Sequence, residues 1–364
     1  VAVASQQRTQ KRSSFSQLAR VEERTAWGLL TPTILLLLSI AVFPLAQVFY
    51  FSMTDRRFAS GQPMNFIGFQ NYRELLSMTI KTVPPKLDAN GEVLRDENGR
   101  IEYESAVTVL PREPIRYRNV GQFNLFGTRY VLGATNDDFI RAIWDTTWFA
   151  LVTVLLETIL GLIIALALAR KFFGRGVMRT AMLIPWAIIT AVSSLIWQYM
   201  FKSDRSGFFN MFFNSLGLTD GNTVFLVNKS LQIWSGIAID VWKTTPFMAL
   251  LLLAGLATIP SDLYEAADID GATKVQQFFT MTLPLLVPTL AVALIFRTLD
   301  ALRVFDLFQI LFGESRYSMS TFAQFTLVSA KDVGLSSAAS VVIFIILFAF
   351  AIFYMRTLRV DANE

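Results

Sequence analysis

Thr25–Thr54 is 30 residues long and contains no charged side chain. About 20 mostly apolar helical residues cross a hydrocarbon layer ~30 Å thick, so a run of this kind belongs in a bilayer. The feature recurs along the chain. Thr180–Phe201 and Val275–Phe296 are each 22 residues without charge, and Val333–Met355 is 23. Two further apolar stretches hold isolated charges: Ile143–Ala169 carries Asp145 and Glu157, and Gln232–Thr258 carries Asp240 and Lys243. The first part of Val275–Phe296 is polar, and Pro284 makes a better start for that span. Six helices are expected, at 27–51, 143–169, 180–201, 232–258, 284–306 and 335–357. Arg297, Asp300, Arg303 and Asp306 fall inside or just beyond the fifth, whose end is the least sharply marked.

Composition agrees. Hydrophobic residues make up 53% of the 364 residues and charged ones 16%, against about 25% charged in an ordinary soluble domain. The chain has no Cys and no His. That excludes disulfides, Cys nucleophiles, Cys/His zinc sites and a Ser-His-Asp triad. A net charge of +4 is too even to suggest nucleic acid as a partner. No G-x-x-x-x-G-K-[ST] occurs, so the chain builds no P-loop of its own.

Short loops set the orientation. The head holds Arg8, Lys11, Arg12, Arg20 and Arg24, the loop after helix two holds Arg170, Lys171, Arg175 and Arg179, and the tail holds Arg356 and Arg359. With six helices these segments share one side, which the positive-inside rule makes cytoplasmic. The expected division is a polar, basic tail at 1–24, a first membrane helix at 25–53, an extracytoplasmic loop at 54–142 and a five-helix core at 143–364. The first helix is too long for a signal-peptide core and reads as an uncleaved anchor.

Within the outer loop, Phe66–Leu76 reads as helix or turn, and 77–135 is polar and rich in Gly, Pro and charge. It contains Asp88-Ala-Asn-Gly91 and Asp96-Glu-Asn-Gly99. Asn-Gly between β-prone runs is a hairpin signal. Calcium is the competing reading, but neither cluster has the 12-residue ligand spacing with a terminal Glu. A small β-rich insert is expected.

One loop stands out. After helix four, Pro260 ends the membrane helix, and Ser261 is placed to N-cap a new one with Asp262 and Glu265 in its first turn, where the macrodipole favours acids. Ala266 and Ala267 have little bulk, so another surface can approach. Gly271 suits the left-handed position that ends a helix. Thr273–Met281 reads as a second short helix before Pro284. Taken alone, this is also how an ordinary capped amphipathic loop looks.

Glu265-Ala266-Ala267, Gly271 after three residues, then Met281-x-Leu283-Pro284 after nine more resembles the EAA loop of permease subunits of binding-protein-dependent ABC importers. Met281 stands where Ile is usual. The likeness extends to the carbohydrate-uptake, maltose-type branch. Phe66-Ile-Gly-Phe-Gln-Asn-Tyr72, Arg179 to Trp197 with Pro185-Trp186, Trp242-x-x-x-Pro246-Phe247, Leu253-Ala-Gly-Leu256, Tyr264, Phe305-Asp306 and Gly334–Ser340 are similar to its elements. Phe312-Gly-Glu-Ser315 departs from the Gly-rich turn usual there. The resemblance spans the chain except the head and 77–135.

The resemblance implies an all-α polytopic membrane protein of the ABC importer permease type. It implies a second permease subunit, two cytoplasmic ATPases that supply ATP and Mg chemistry, and an extracytoplasmic binding protein that delivers a sugar. The chain itself then needs no cofactor and catalyses nothing. Loop 259–284 would couple to an ATPase through Glu265 as a polar anchor, Ala266 and Ala267 as a close docking surface, and Gly271 as the turn. Matched position by position, the mid-membrane sugar contacts would be Trp186, Thr190, Asp240, Lys243, Thr244, Phe247, Arg297, Asp300, Ala301 and Val304. Intramembrane charge usually faces an interior or a cavity, and aromatic faces beside hydrogen-bonding groups suit a sugar ring.

Other readings stand beside these. Asp240–Lys243 and Arg297–Asp300 have the spacing of intrahelical pairs or could bridge to a partner, and Trp186 could simply pack by a proline kink. The charge is heavier than a neutral sugar requires, which suggests a very polar or anionic glycoside. Glu157 is alone in helix two. With no second acid nearby, a hydrogen bond to a neighbouring helix is preferred over a proton relay. The alternative to an importer subunit is a stand-alone secondary transporter or channel, which would leave the EAA spacing without a purpose.

Overall fold

A computed structural model describes residues 2–88, 91–204 and 206–357, with the backbone alone for 2–18. Asn90 of the first Asn-Gly pair and Arg359 of the tail lie outside the described residues, as do the side chains of Arg8, Lys11 and Arg12.

The first helix, α1, runs through Ala2–Leu37, a π-helical turn at Leu38–Val42 and Phe43–Phe51. It therefore begins well before the expected residue 27. The π turn lies directly before Pro44. A proline has no N–H, and its ring crowds the carbonyl four residues back, so the helix widens there. The same solution recurs at Phe278–Thr282, before Pro284. Where α1 ends, Asn71 on the helix Gln70–Leu76 donates to the carbonyls of Ser52 and Thr54, both at 2.9 Å. Tyr72 shares a hydrogen bond with the Ser52 hydroxyl at 2.6 Å. Asn71 thus satisfies helix-end carbonyls that have no partner within the helix, and Tyr72 braces the Ser52 side chain beside them.

Among the described residues, Ala19–Phe51, Asp137–Ala169, Lys229–Leu256, Lys274–Leu311 and Val333–Thr357 are long and apolar enough to cross a membrane. Asp137–Ala169 is α2 and starts earlier than residue 143, because Asn136 caps it by accepting from the Phe139 N–H. The expected straight span at 180–201 is instead broken. Leu183–Ala187 (α3) and Thr190–Met200 (α4) belong to a pair of segments bent by 87°. Ile188 and Ile189 form the break, with ψ of 131° and 132°, an extended geometry that suits β-branched side chains. Counted as one span, the bent pair would be the sixth.

Lys229–Leu256 (α5), Ser261–Ile269 (α6), Leu283–Leu302 (α7) and Val333–Thr357 (α8) complete the main helices. The fifth expected helix stops at Leu302 rather than 306. Phe305 is non-helical, and Asp306 opens a new helix, Asp306–Leu311, where an acid is favoured. The freed Val304 carbonyl accepts from the Ser318 hydroxyl at 2.7 Å. A further helix, Met319–Val328, precedes α8 with its own capping box.

Small residues set the packing of α2 against α5. A Cβ added at Gly161 would come within 2.8 Å of the Met248 side chain and 3.1 Å of the Ala249 nitrogen. Close backbone approach of this kind is how helices associate in lipid. Phe149, Phe308 and Ile237 fill one core, and Ala165, Met248, Leu252 and Leu286 another.

The polar insert carries a three-stranded antiparallel sheet in the order β1-β3-β2: β1 Met78–Val83, β2 Arg118–Leu125 and β3 Thr128–Ala134. Its tight hairpin is not at an Asn-Gly. Phe126 and Gly127 form the turn, with φ of 48° and 79°, the twisted geometry a two-residue hairpin needs. Gly91 and Gly99 do sit in turns with positive φ, each closed by an antiparallel bridge, Leu87–Val93 and Arg95–Ile101.

Candidate functional site

Three helices meet at one guanidinium. Arg297 on α7 donates from Nε and Nη2 to the Glu157 carboxylate on α2, at 2.6 and 2.8 Å. Nη2 also donates to Asp240 on α5 at 2.8 Å, and Nη1 to Asp300 on its own helix at 2.8 Å. Glu157 is 0% exposed and Arg297 2%. Removing Arg297 would strand Glu157 in a medium that solvates charge poorly, whereas removing Glu157 would leave Arg297 to Asp240 and Asp300. The Thr244 hydroxyl lies against both Glu157 and the Asp240 carbonyl.

This arrangement alters two readings of the sequence. Glu157 is not isolated: the acids Asp240 and Asp300 share its arginine. Asp240 pairs with Arg297, not with Lys243 three residues along, because the guanidinium offers a charge-assisted bond to each carboxylate. Arg297–Asp300 does form within one helix, as its spacing suggests.

Beside this hub, Trp186 and Phe247 stack with ring centroids 5.3 Å apart and planes at 8°. Lys243 donates to the Trp186 carbonyl at 3.4 Å. The break after α3 deprives that carbonyl of a helical partner, and Lys243 supplies one. Trp186 is exposed, Phe247 half-buried and Lys243 buried. Thr190 opens α4 and is half-buried. Ala301, 2% exposed, sits in the core with Leu302, Met319 and Phe139, and Val304 packs on the core around Phe308. The structure therefore brings Trp186, Asp240, Lys243, Thr244, Phe247, Arg297 and Asp300 together and directs Ala301 and Val304 into packing. Glu157 was missed as a site residue; its partners lie 87 and 140 residues away, and no local spacing signals them.

The loop after α5 is built as two capped turns. Pro260, with ψ of 135°, occupies the N-cap of α6 in place of Ser261, whose hydroxyl makes no cap bond. Proline fixes φ near the helical value but has no N–H to donate. At the other end Gly271 has φ of 78°. Its N–H donates to the Asp268 carbonyl at 3.2 Å, and the Ala272 N–H to the Ala267 carbonyl at 2.9 Å. These two bonds are a Schellman stop. Thr273 and Gln276 then form a capping box for Lys274–Gln277, which the π turn Phe278–Thr282 follows. Lys274 bonds both oxygens of Asp268, at 2.7 and 2.9 Å, and Gln277 adds a bond at 2.6 Å. Those bonds, Lys274 first, hold the Asp268 carboxyl below the usual carboxylate range. Glu265 and Ala266 are exposed, whereas Ala267 is 8% exposed. Ile269, 86% exposed at the end of α6, is an apolar side chain with nothing covering it.

Residues 157–360, from Glu157 to beyond α8, match the family described as the binding-protein-dependent transport system inner membrane component. The chain belongs to this family. Among its relatives, the trehalose/maltose transport system permease protein MalF of Thermococcus litoralis is 42% identical over 70% of this chain and 83% of that protein. The sulfoquinovosyl glycerol transport system permease protein SmoG of Agrobacterium fabrum is 33% identical over 91% and 89%. The fold of this permease is also that of a bacterial ABC transporter involved in import of the acidic polysaccharide alginate. That crystal structure superposes with a TM-score of 0.67 at 21% identity, covering 95% of this chain and all of the other. Both the arginine hub and the two-turn loop of this permease lie within the matched residues.

Proposed function

We propose that this permease carries a sugar across the membrane by alternating access, driven by a separate ATPase that docks on α6. The observation that carries the sugar reading is the Trp186–Phe247 stack beside Lys243, Asp240 and Asp300. Aromatic faces meet the apolar C–H surface of a sugar ring, and the polar groups meet its hydroxyls. The names of MalF and SmoG, both permeases for glycosides, support the same reading.

The exposed face of α6 supports coupling. Glu265, Ala266 and Ile269 project from a rigid helix whose far end is fixed by Gly271. In this reading α6 and the basic head face the cytoplasm, and six spans cross the bilayer, with the bent α3–α4 pair as one. A second permease completes the path, two ATPases supply ATP and Mg chemistry, and the β1-β3-β2 insert receives the binding protein outside. Ala267 supports the shape of the loop rather than touching the ATPase. A stand-alone transporter has no use for such a helix.

Uptake of radiolabelled sugar into vesicles containing the assembled importer tests the proposal. Gly271→Pro should abolish ATP-driven uptake while binding-protein docking persists. Undiminished uptake would overturn the coupling role. Deleting 77–135 should weaken stimulation of the ATPase by the binding protein with assembly intact, and unchanged stimulation would overturn the role of the insert.

A further inference from the structure

The names of MalF and SmoG divide on charge. Trehalose and maltose are neutral, whereas a sulfoquinovosyl group carries a sulfonate. The hub of this permease bears on that division. A guanidinium has five N–H donors. Arg297 gives four of them to carboxylates of its own chain, one from Nε, one from Nη1 and two from Nη2. Its charge is shared among three carboxylates, and the Lys243 ammonium lies nearby on α5. Glu157 holds the arginine by two points and is wholly buried. Asp300, by contrast, has a side chain 60% exposed. Arg303 approaches Asp300 at 3.9 Å from outside with 69% of its side chain exposed, where solvent screens it.

Resting on the sugar reading above, we propose that Glu157 sets the charge selectivity of the path: it commits Arg297 to holding Asp240 and Asp300, so that the path presents carboxylate acceptors and disfavours anionic sugars. Arg297 is then a positioning residue and not a substrate ligand. Carboxylate oxygens accept hydrogen bonds from neutral hydroxyls and repel a carboxylate or sulfonate brought beside them. Without Glu157, two N–H groups of Arg297 would be released and its charge would be less fully compensated. That is the donor geometry that recognises planar and tetrahedral anions. A buried glutamate thereby governs specificity without touching the substrate.

The test uses the assembled permease pair with its ATPases in lipid nanodiscs, without the binding protein, so that no other selectivity intervenes. Binding of maltose and of its derivative oxidised at C6 to a carboxylate is measured by equilibrium dialysis. Wild type should prefer the neutral sugar by at least ~10-fold, with the preference shrinking as salt rises. Glu157→Gln should raise affinity for the acidic sugar and narrow the preference. Glu157→Asp, which keeps the carboxylate, should restore it. Asp300→Asn, at an exposed position that does not threaten folding, should narrow the preference as well, and Arg303→Gln should leave it within about two-fold. Equal binding of both sugars by wild type, or an unchanged preference in both Glu157→Gln and Asp300→Asn, would overturn the proposal. Binding of neither sugar by wild type is a different result, and it would overturn the sugar reading together with the selectivity.

Discussion

Glu157 and Arg297, 140 residues apart in the chain, meet through two parallel hydrogen bonds of 2.6 and 2.8 Å inside the helical core. Each is the other's principal counter-ion, and neither reaches solvent. Breaking a buried pair by removing one member costs about 3–5 kcal/mol. Glu157→Ala and Arg297→Met are each expected to lower the thermal midpoint of the detergent-solubilised permease by several degrees. The two changes should not add, because both remove the same contact between the two side chains. A double variant whose loss equals the sum of the single losses would show that the pair is not coupled.

Gly271 gives a second prediction, separable from packing. Its φ is 78°, and a Cβ built there meets nothing within 4 Å. Gly271→Ala therefore costs only backbone strain, about 1–2 kcal/mol. Gly176 on the helix Arg175–Ala181 also meets nothing within 4 Å but has no positive φ, so Gly176→Ala should stabilise by roughly 0.5–1 kcal/mol. Hydrogen exchange should report the contrast, with faster exchange at Gly271 and Ala272 in the first variant only. Equal protection in both would mean that the Schellman bonds do not hold the loop.

These sites differ in how far the sequence reveals them. Uncharged runs mark most spans because bilayer thickness imposes a length on any helix that crosses. Gly271 was legible for a local reason, since few other residues tolerate its φ. The bend at Ile188–Ile189 was not, because a pair of isoleucines is as common in straight membrane helices; the stacking of Trp186 on Phe247 accompanies it. Ser261 was a reasonable N-cap, yet Pro260 lay one residue closer to the turn. The Asp240–Lys243 spacing misled because Arg297, far away in sequence, binds Asp240 instead. The tight hairpin at Phe126-Gly127 lacked the Asn that marks such turns, and its Phe126 is 98% exposed. Long-range ion pairs and two-residue turns leave no periodic trace for a sequence to show.

The packing of α2 on α5 supplies a third prediction. At Gly161 an added methyl would press on the Met248 side chain at 2.8 Å and, less avoidably, on the Ala249 backbone nitrogen at 3.1 Å. The thioether can swing aside, but the backbone cannot. Gly161→Ala should destabilise by ~1–3 kcal/mol, and Gly161→Leu should prevent assembly. A companion Met248→Ala should recover only part of the Gly161→Ala loss. Full recovery, read from thermal unfolding, would show that the side chain and not the backbone sets the distance between the helices.

Asp268 provides a pH dependence whose sign can be worked out. Its carboxyl is held below the ordinary value of 3.8 by Lys274 first and Gln277 second. A group whose folded pKa is depressed contributes stability that is fully present above the unfolded value and is lost as pH falls through the folded one. The loop should therefore keep its amide protection at Gly271–Gln277 from neutral pH down to about 3.8 and lose it only below. The Asp268 side chain is exposed, so the contribution is screened, and added salt should weaken it. In Lys274→Met the main cause of the depression is gone. Protection should then be lower at neutral pH and respond less to acid, while Glu265, on the outer face of the same helix, keeps its exposure. Exchange profiles of the two proteins that coincide from neutral pH through the acid range would show that the Asp268–Lys274 pair does not brace the loop on which α6 is presented.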